Sequence, residues 1–357
     1  MKKIIRKSWR FLVAPLCLLL TIIVIDSCKK SDDTIASQSF AVTKLVASQS
    51  SYGAARVDAN LVNGWGIAFG PTGSAWISSE DAGVSVVYDK TGAQVLAPVT
   101  IPSPTASTGG APTGQVFNAT ADFILPGGNP AKFIFSGADG VISAWNTGGA
   151  AVKVVDRSGT SAYTGLATGT SGANNYLYAA DFKSGKIDVF DKDFVLVSMP
   201  FVDAALPSGY SPFNIQNIGG QLYVMYAKVD PGTGEETKGA GLGYVDIYNP
   251  DGSFVKRYIS QGALNAPWGI AAAPAGFLNN EGSVILIGNF GDGTITAFDA
   301  AGNSLGTLKS NGAPIVIDGL WGISFAPATA TGVDPTWLFF AAGPNDENDG
   351  LFGYINP

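Results

Sequence analysis

The residues in this chain that could do chemistry are almost all carboxylates and amides, and they recur between short apolar runs. They are Glu80 and Asp81; Asp139; Asp181 with Lys183; Asp230, Glu235 and Glu236; Asn289 and Asp292; and the unbroken run Asn345, Asp346, Glu347, Asn348 and Asp349. Hard oxygen donors of this kind suit Ca²⁺. Asp346, Glu347 and Asp349 form the densest set and are the candidate metal ligands. Their Asp-Glu-Asn-Asp-Gly pattern lacks the acidic end residue of a twelve-residue calcium loop. Carboxylate pairs also hydrolyse glycosidic bonds. A plainer role competes with both, because Asp-Gly and Asn-Gly make tight turns. That role accounts for Asp139, Asp292 and Asp349, and less well for the density of 345–349. Glu80, Asp81, Asp139, Asp181, Asp292 and Asp346 are the candidates for a ligand-binding face, with no acid or base assigned among them.

The composition removes several chemistries. The chain has no histidine, which excludes a Ser-His-Asp triad, a Cys-His pair and histidine-ligated zinc or iron. Its two cysteines are Cys17 and Cys28. Gly-Xaa-Xaa-Gly runs are frequent, as 46 glycines in 357 residues would produce by chance, and none forms a dinucleotide fingerprint in a strand–helix unit.

The elements that must carry these carboxylates are short strands. Trp-Gly-Ile recurs as Trp65–Ile67, Trp268–Ile270 and Trp321–Ile323, and weaker versions start near Phe117, Tyr163 and Phe213. The six starts are 52, 46, 50, 55 and 53 residues apart, the period of a propeller blade. Each segment reads as up to four strands of β-branched and aromatic residues bounded by Gly, Asp and Pro. The first has 66–69, 75–78, 84–88 and a fourth strand after 93–98. The sixth runs out at Pro357 after three strands. Phe40–Ala47, an unassigned strand-like run, is expected to complete it and so remove an exposed edge. The expected fold is therefore an all-β, six-bladed propeller over 40–357, closed by an N-terminal strand in the last blade. The turns between second and third strands should emerge on one face, which they make acidic. Trp65, Trp268 and Trp321 are expected to plug the space between blades near the axis, with Phe213 and Tyr163 in equivalent slots. The glycines beside them would let backbones approach. The loop from about Thr100 to Asn118 and the insertion Asp230–Gly241 are candidate rims.

The front of the chain reads as an address. Lys2, Lys3, Arg6, Lys7 and Arg10 precede an apolar run from Phe11 to Ile25, short for a bilayer span and patterned as an export signal over 1–27. Cys28 follows, then Lys29, Lys30, Ser31, Asp32 and Asp33. Residues 28–39 read as a tether. Without the signal the chain has 16 basic and 27 acidic side chains, a formal −11. That balance argues against nucleic acid and admits a cationic or neutral ligand.

Two resemblances attach to these residues. Cys28 with its surroundings resembles a bacterial lipoprotein signal of the relaxed kind found in Bacteroidota. The resemblance implies acylation (palmitate among the chains) at Cys28, membrane anchorage and an outer-membrane location exposed at the cell surface. Asp26 and Ile25 depart from the usual pattern. Asn60–Phe69, Ala75–Ser79, Gly319–Phe325 and Gly350–Gly353 resemble an uncharacterised family of exported bacterial six-bladed propellers and, more distantly, NHL and gluconolactonase-like propellers. The close family implies no reaction. The distant enzymes imply a calcium-dependent lactonase or related hydrolase, although a match to their separated acidic and amide ligands is missing here. The leading expectation is a cell-envelope lipoprotein whose propeller binds or scaffolds a glycan, peptide or envelope protein. The alternative is a calcium-dependent hydrolase of the lactonase or glycan-processing class.

Overall fold

The computed structural model describes Ile35, residues 38–278 and residues 282–357. The signal over 1–27, Cys28 and most of the tether lie outside these residues. Among the described residues six sheets of four or five strands follow one another along the chain, and Lys309–Ser310 pairs with Ala313–Pro314 in a two-stranded ribbon. Blade one is Gly64–Phe69, Ala75–Ser79, Val84–Tyr88 and Gln94–Thr100; blade two is Pro112–Phe117, Phe133–Gly137, Val141–Trp145 and Val152–Asp156. Blade three is Tyr163–Ser171, Asn174–Asp181, Lys186–Phe190 and Leu196–Val197; blade four is Tyr210–Ile218, Gln221–Lys228, Tyr244–Tyr248 and Phe254–Ser260. Blade five is Pro267–Ala272, Ile285–Asn289, Ile295–Phe298 and Ser304–Thr307. Blade six takes Leu320–Phe325, Leu338–Ala342 and Leu351–Asn356 from the end of the chain and Ala41–Ala47 from its beginning. Ala41 pairs with Asn356 and Ala47 with Leu351, antiparallel, so the expected closure is present. Arg56–Val57 adds a short parallel fifth strand outside it.

Side chains on a strand alternate between faces, and in the middle strands both faces are buried. In blade three Leu177 and Ala179 pack against blade two, whereas Tyr178 and Ala180 pack against blade four. Such strands therefore read as continuous apolar runs. The same division fills the other seams, with Trp76, Phe133 and Trp145 between blades one and two and Phe69, Phe339 and Phe352 between blades six and one.

The register of the inner strands corrects the repeat. The tryptophan slot holds Trp65, Thr113, Thr164, Phe213, Trp268 and Trp321, as the pairings and inter-blade approaches show. Phe117 is the last residue of its strand, not the first. Tyr163 lies one residue before the slot, and its hydroxyl donates to Asp188 Oδ2 at 2.7 Å. The expectation for Phe213 holds and that for Tyr163 does not. Two blades place a small threonine where the others place a ring, and Phe182 and Phe290, each directly after a second strand, add rings to the axis. Trp65, Phe182, Phe213, Trp268, Phe290 and Trp321 form one axial cluster.

Next to that slot stands Gly66, Gly114, Gly165, Asn214, Gly269 or Gly322, and these positions bring neighbouring inner strands into backbone contact. A Cβ on Gly322 would sit 2.4 Å from Trp65 O, one on Gly269 2.7 Å from Trp321 O, and one on Gly114 2.5 Å from Leu166 N. At Asn214 the side chain reaches across instead, its Nδ2 donating to Trp268 O at 2.7 Å. Gln115 Nε2 does the same to Gly66 O at 2.8 Å. The axis is thus nearly sealed, with a cavity of about 30 Å³ remaining, room for one or two waters.

The sealed axis predicts a specific sensitivity. Gly322→Ala should destabilise by about 1–3 kcal/mol, the usual cost of overpacking, and lower the thermal midpoint by several degrees. Gly149→Ala, with nothing within 4 Å and no positive φ, should leave it unchanged. Equal midpoints for the two variants would contradict the close approach.

Candidate functional site

Inner strands start, and second strands end, on the same face. That face gathers the acidic residues. Asn63 stands just before the inner strand of blade one with φ 50°, a left-handed conformation uncommon outside glycine. Its Oδ1 accepts the Trp321 indole N–H at 3.0 Å. Its Nδ2 faces two carboxylates, Glu347 Oε2 at 2.9 Å and Glu80 Oε2 at 3.4 Å. One amide therefore ties the axial cluster to a carboxylate pair drawn from blades six and one.

A cavity of about 130 Å³ opens beside this pair, lined by Lys238, Phe290, Asp292, Asp318, Asp346 and Glu347 among others. Its floor is a stack of rings. Lys238 Nζ lies 4.1 Å over Phe290, within the range of a cation–π contact. Phe290 stacks on Trp321 with centroids 3.7 Å apart, and Trp321 on Trp65 at 3.4 Å. Trp268 meets both tryptophans edge-on. The tryptophans are buried plugs, as expected.

The loop carrying Glu347 is strained. Asn345, Asp346 and Glu347 have φ of 62, 49 and 68° in succession, and each left-handed non-glycine residue costs about 1–2 kcal/mol. Strain of this kind concentrates at functional sites. It is held by Asn345 N–H donating to Asp318 Oδ2 at 3.0 Å and by Asp349 at the loop's far end. Asp349 is 5% exposed. Its carboxylate accepts from Tyr52 Oη at 2.8 Å, Ser48 Oγ at 3.2 Å, Asn345 Nδ2 at 3.1 Å and Gln49 Nε2. One carboxylate thus clasps the N-terminal segment to the end of blade six.

The remaining candidates separate by role. Asp292 lines the cavity, held by Asn265 Nδ2 at 3.0 Å and by Thr294. Asp346 also lines it, and is exposed. Glu80 reaches the same cluster through Asn63, with Asp81 beside it. Asp181 is buried and accepts from Ala162 N, Ser184 N and Ser184 Oγ. Asp139 accepts from Val141 N in its turn. These two organise turns rather than the cavity. Among the described residues no three of His, Cys, Asp and Glu are grouped so as to hold a metal ion. Sequence reasoning missed Asp318 and Lys238. Asp318 lies two residues before the inner strand of blade six, and the strand order alone puts such residues on this face.

The carboxyls sense one another. Burial pushes Glu80 up to about 8; the Asp81 hydrogen bond and charge and the Glu347 charge add to this, and the Asn63 amide opposes it. Burial likewise pushes Glu236 up to about 7, with Glu347 and Glu235 raising it and Lys238 lowering it. Glu347 is raised by burial and by Asp81 and Glu235, against Asn63 and Lys238. At Asp349 burial works upward, but the four side-chain hydrogen bonds outweigh it and hold the group below the usual carboxylate range.

No protein-family model matches the chain. Two uncharacterised proteins of Acanthamoeba polyphaga mimivirus do. One is 37% identical over 319 residues, covering 85% of this chain and 76% of the relative. The other is 36% identical over 324 residues, covering 85% and 82%. Among solved structures, the soluble aldose sugar dehydrogenase of Escherichia coli aligns over 89% of this chain and all of its own, with TM-score 0.57 and 13% identity. A streptogramin B lyase aligns over 89% and 97%, with TM-score 0.53 and 14% identity. At such identities the structural likeness is one of fold.

The raised carboxyls give a signed pH dependence. A carboxyl raised in the folded state binds its proton more tightly there, so its contribution is full below the unfolded value near 4.5 and lost as pH rises to about 8 for Glu80 and about 7 for Glu236. Glu80→Gln removes that loss. Its thermal midpoint should exceed that of wild type by more at pH 8 than at pH 4.5; a difference that does not change with pH would contradict the buried, proton-holding state. The sequence likeness, meanwhile, settles kinship: the chain belongs to the same family as the two mimivirus proteins.

Proposed function

We propose that the acidic mouth is the working site of a hydrolase that acts by carboxyl acid–base chemistry on a small ester-like or glycosidic substrate, the lactonase or glycan-processing class. One observation carries this: Glu80 and Glu347 share the Asn63 amide at the edge of a cavity, in surroundings whose burial raises the carboxyls of Glu80 and Glu236. Carboxyls tuned in this way serve as proton donors and acceptors near pH 7. Glu80 would protonate the departing oxygen. Glu236 would take a proton from the attacking water, and Lys238 would offset negative charge building on the substrate. Two of the structures that share the fold are a lyase and a dehydrogenase, a precedent for catalysis on this scaffold and not for a particular reaction.

A calcium requirement is a separate proposal on Asp346, Glu347 and Asp349. Asp349 already spends its carboxylate on four hydrogen bonds, so no step above passes through a metal. Metal analysis of the purified protein tests it. Stoichiometric Ca²⁺ that disappears in Asp346→Ala would support the requirement, and identical metal content in both proteins would contradict it. Anchorage at an outer membrane through acylated Cys28 is likewise a proposal. Cys28→Ala should move the protein from the membrane to the soluble fraction, and an unchanged distribution would count against lipidation.

The catalytic proposal is tested by a panel of lactones and aryl glycosides. Wild type should turn over at least one member, with an alkaline limb near pH 8. A Glu80→Gln/Glu236→Gln/Glu347→Gln variant should lose at least a hundredfold, the low end of what a positioned acid or base contributes. Equal rates for both proteins across the panel would contradict the proposal. Specific protein capture by a wild type that turns over no member of the panel would favour the binding or scaffolding reading instead.

A further inference from the structure

The opposite mouth, at the C-terminal ends of the inner strands, has a different chemistry. Below the sealed axis a cavity of about 250 Å³ is lined by residues of blades one, two, three, four and six. A second, of about 360 Å³, is lined by residues of blades two, three and four, and shares Phe117, Thr168 and Asn217 with the first. Together they reach the size of small-molecule sites, roughly 300–1,000 Å³. No Asp, Glu, Lys or Arg lines either one, in a chain with 49 such residues and an acidic cluster at its other mouth. Of the lining amides, Asn175 donates to a carboxylate outside the lining, Asp122, at 2.8 Å.

What lines this mouth instead is amide, hydroxyl and ring. Gln216 is exposed, and its side chain makes no hydrogen bond within the described residues; the Thr168 hydroxyl makes none either. Asn217 is fixed between them, its Nδ2 donating to Thr168 O at 2.9 Å and its Oδ1 accepting from Gly220 N at 3.0 Å. Phe117 and Phe325 are partly exposed at the cavity wall. Each is braced edge-on from behind, by Phe133 at 5.3 Å and by Phe277 at 5.0 Å. The ring of close-approaching strands closes the far end, so a ligand here cannot pass to the acidic mouth.

The geometry points to this neutral mouth as a second binding site, for an uncharged polyhydroxyl ligand of the carbohydrate class. Free amides and hydroxyls both donate and accept, as sugar hydroxyls do. Aromatic faces cover the apolar C–H face of a sugar ring. A charged ligand would lose its hydration here with no opposite charge to replace it. The assignment does not depend on the catalytic reading of the other face.

The test is calorimetric titration of the purified full chain with neutral disaccharides (maltose, cellobiose and N,N′-diacetylchitobiose), and with glucosamine and galacturonic acid as charged controls. At least one neutral disaccharide should bind more tightly than either control. Gln216→Leu and Phe117→Ala should each weaken it tenfold or more, and the triple acidic-face variant should bind it as wild type does. Because Gln216 is exposed and unpartnered, Gln216→Leu should keep the wild-type thermal midpoint, which separates lost contact from lost fold. No binding of any neutral disaccharide at millimolar concentration would overturn the assignment. So would binding that survives both single substitutions, or tighter binding of a charged control.

Discussion

Everything in this molecule depends on how closely six inner strands approach one another around the axis. A side chain at Gly66, Gly114, Gly269 or Gly322 would overlap a neighbour's backbone, so the strands can meet only where the sequence omits Cβ or, as at Asn214, turns the side chain into the missing contact. Close approach puts Trp65, Trp268 and Trp321 on one side of the narrowing, where Trp65 and Trp321 stack and Trp268 meets both edge-on in a buried plug. It leaves short polar side chains on the other. The two mouths therefore differ in chemistry because the constriction separates them.

The acidic mouth inherits its order from that plug. Asn63 is fixed by the Trp321 indole on one side and presents its amide to Glu80 and Glu347 on the other. The strained 345–347 turn is held at one end by Asp318 and at the other by Asp349. Asp349 also fastens the N-terminal segment, so closing the ring and shaping the cavity use the same residue. The desolvation that raises the carboxyls follows from their burial at this mouth.

Much of the fold was legible in sequence because its constraint is written in residue types. A Trp-Gly pair marks the inner strands of blades one, five and six. Phe213 marked blade four. The reading slipped in blades two and three, where Thr113 and Thr164 occupy the slot and neighbouring aromatics, Phe117 and Tyr163, serve other surfaces. The closing strand was legible because blade six lacked a fourth member. The acidity of one face was legible too. Which acids converge was not, because Asp139, Asp181, Asp349 and Asp346 look alike in sequence and differ only in what the folded turns bring beside them. Asp318 lies outside any motif and is placed by topology alone, and Lys238 was marked only as part of the Asp230–Gly241 rim. The neutral mouth left no signal at all, since the absence of charge at scattered positions forms no pattern along a chain.

Hydrogen exchange read by mass spectrometry tests the ring most directly. Peptides from the six inner strands and from Ala41–Ala47 should exchange last and together, as one cooperative unit that opens only on global unfolding. Early and independent exchange of Ala41–Ala47, with the inner strands still protected, would show that the ring does not depend on its clasp and would contradict the account.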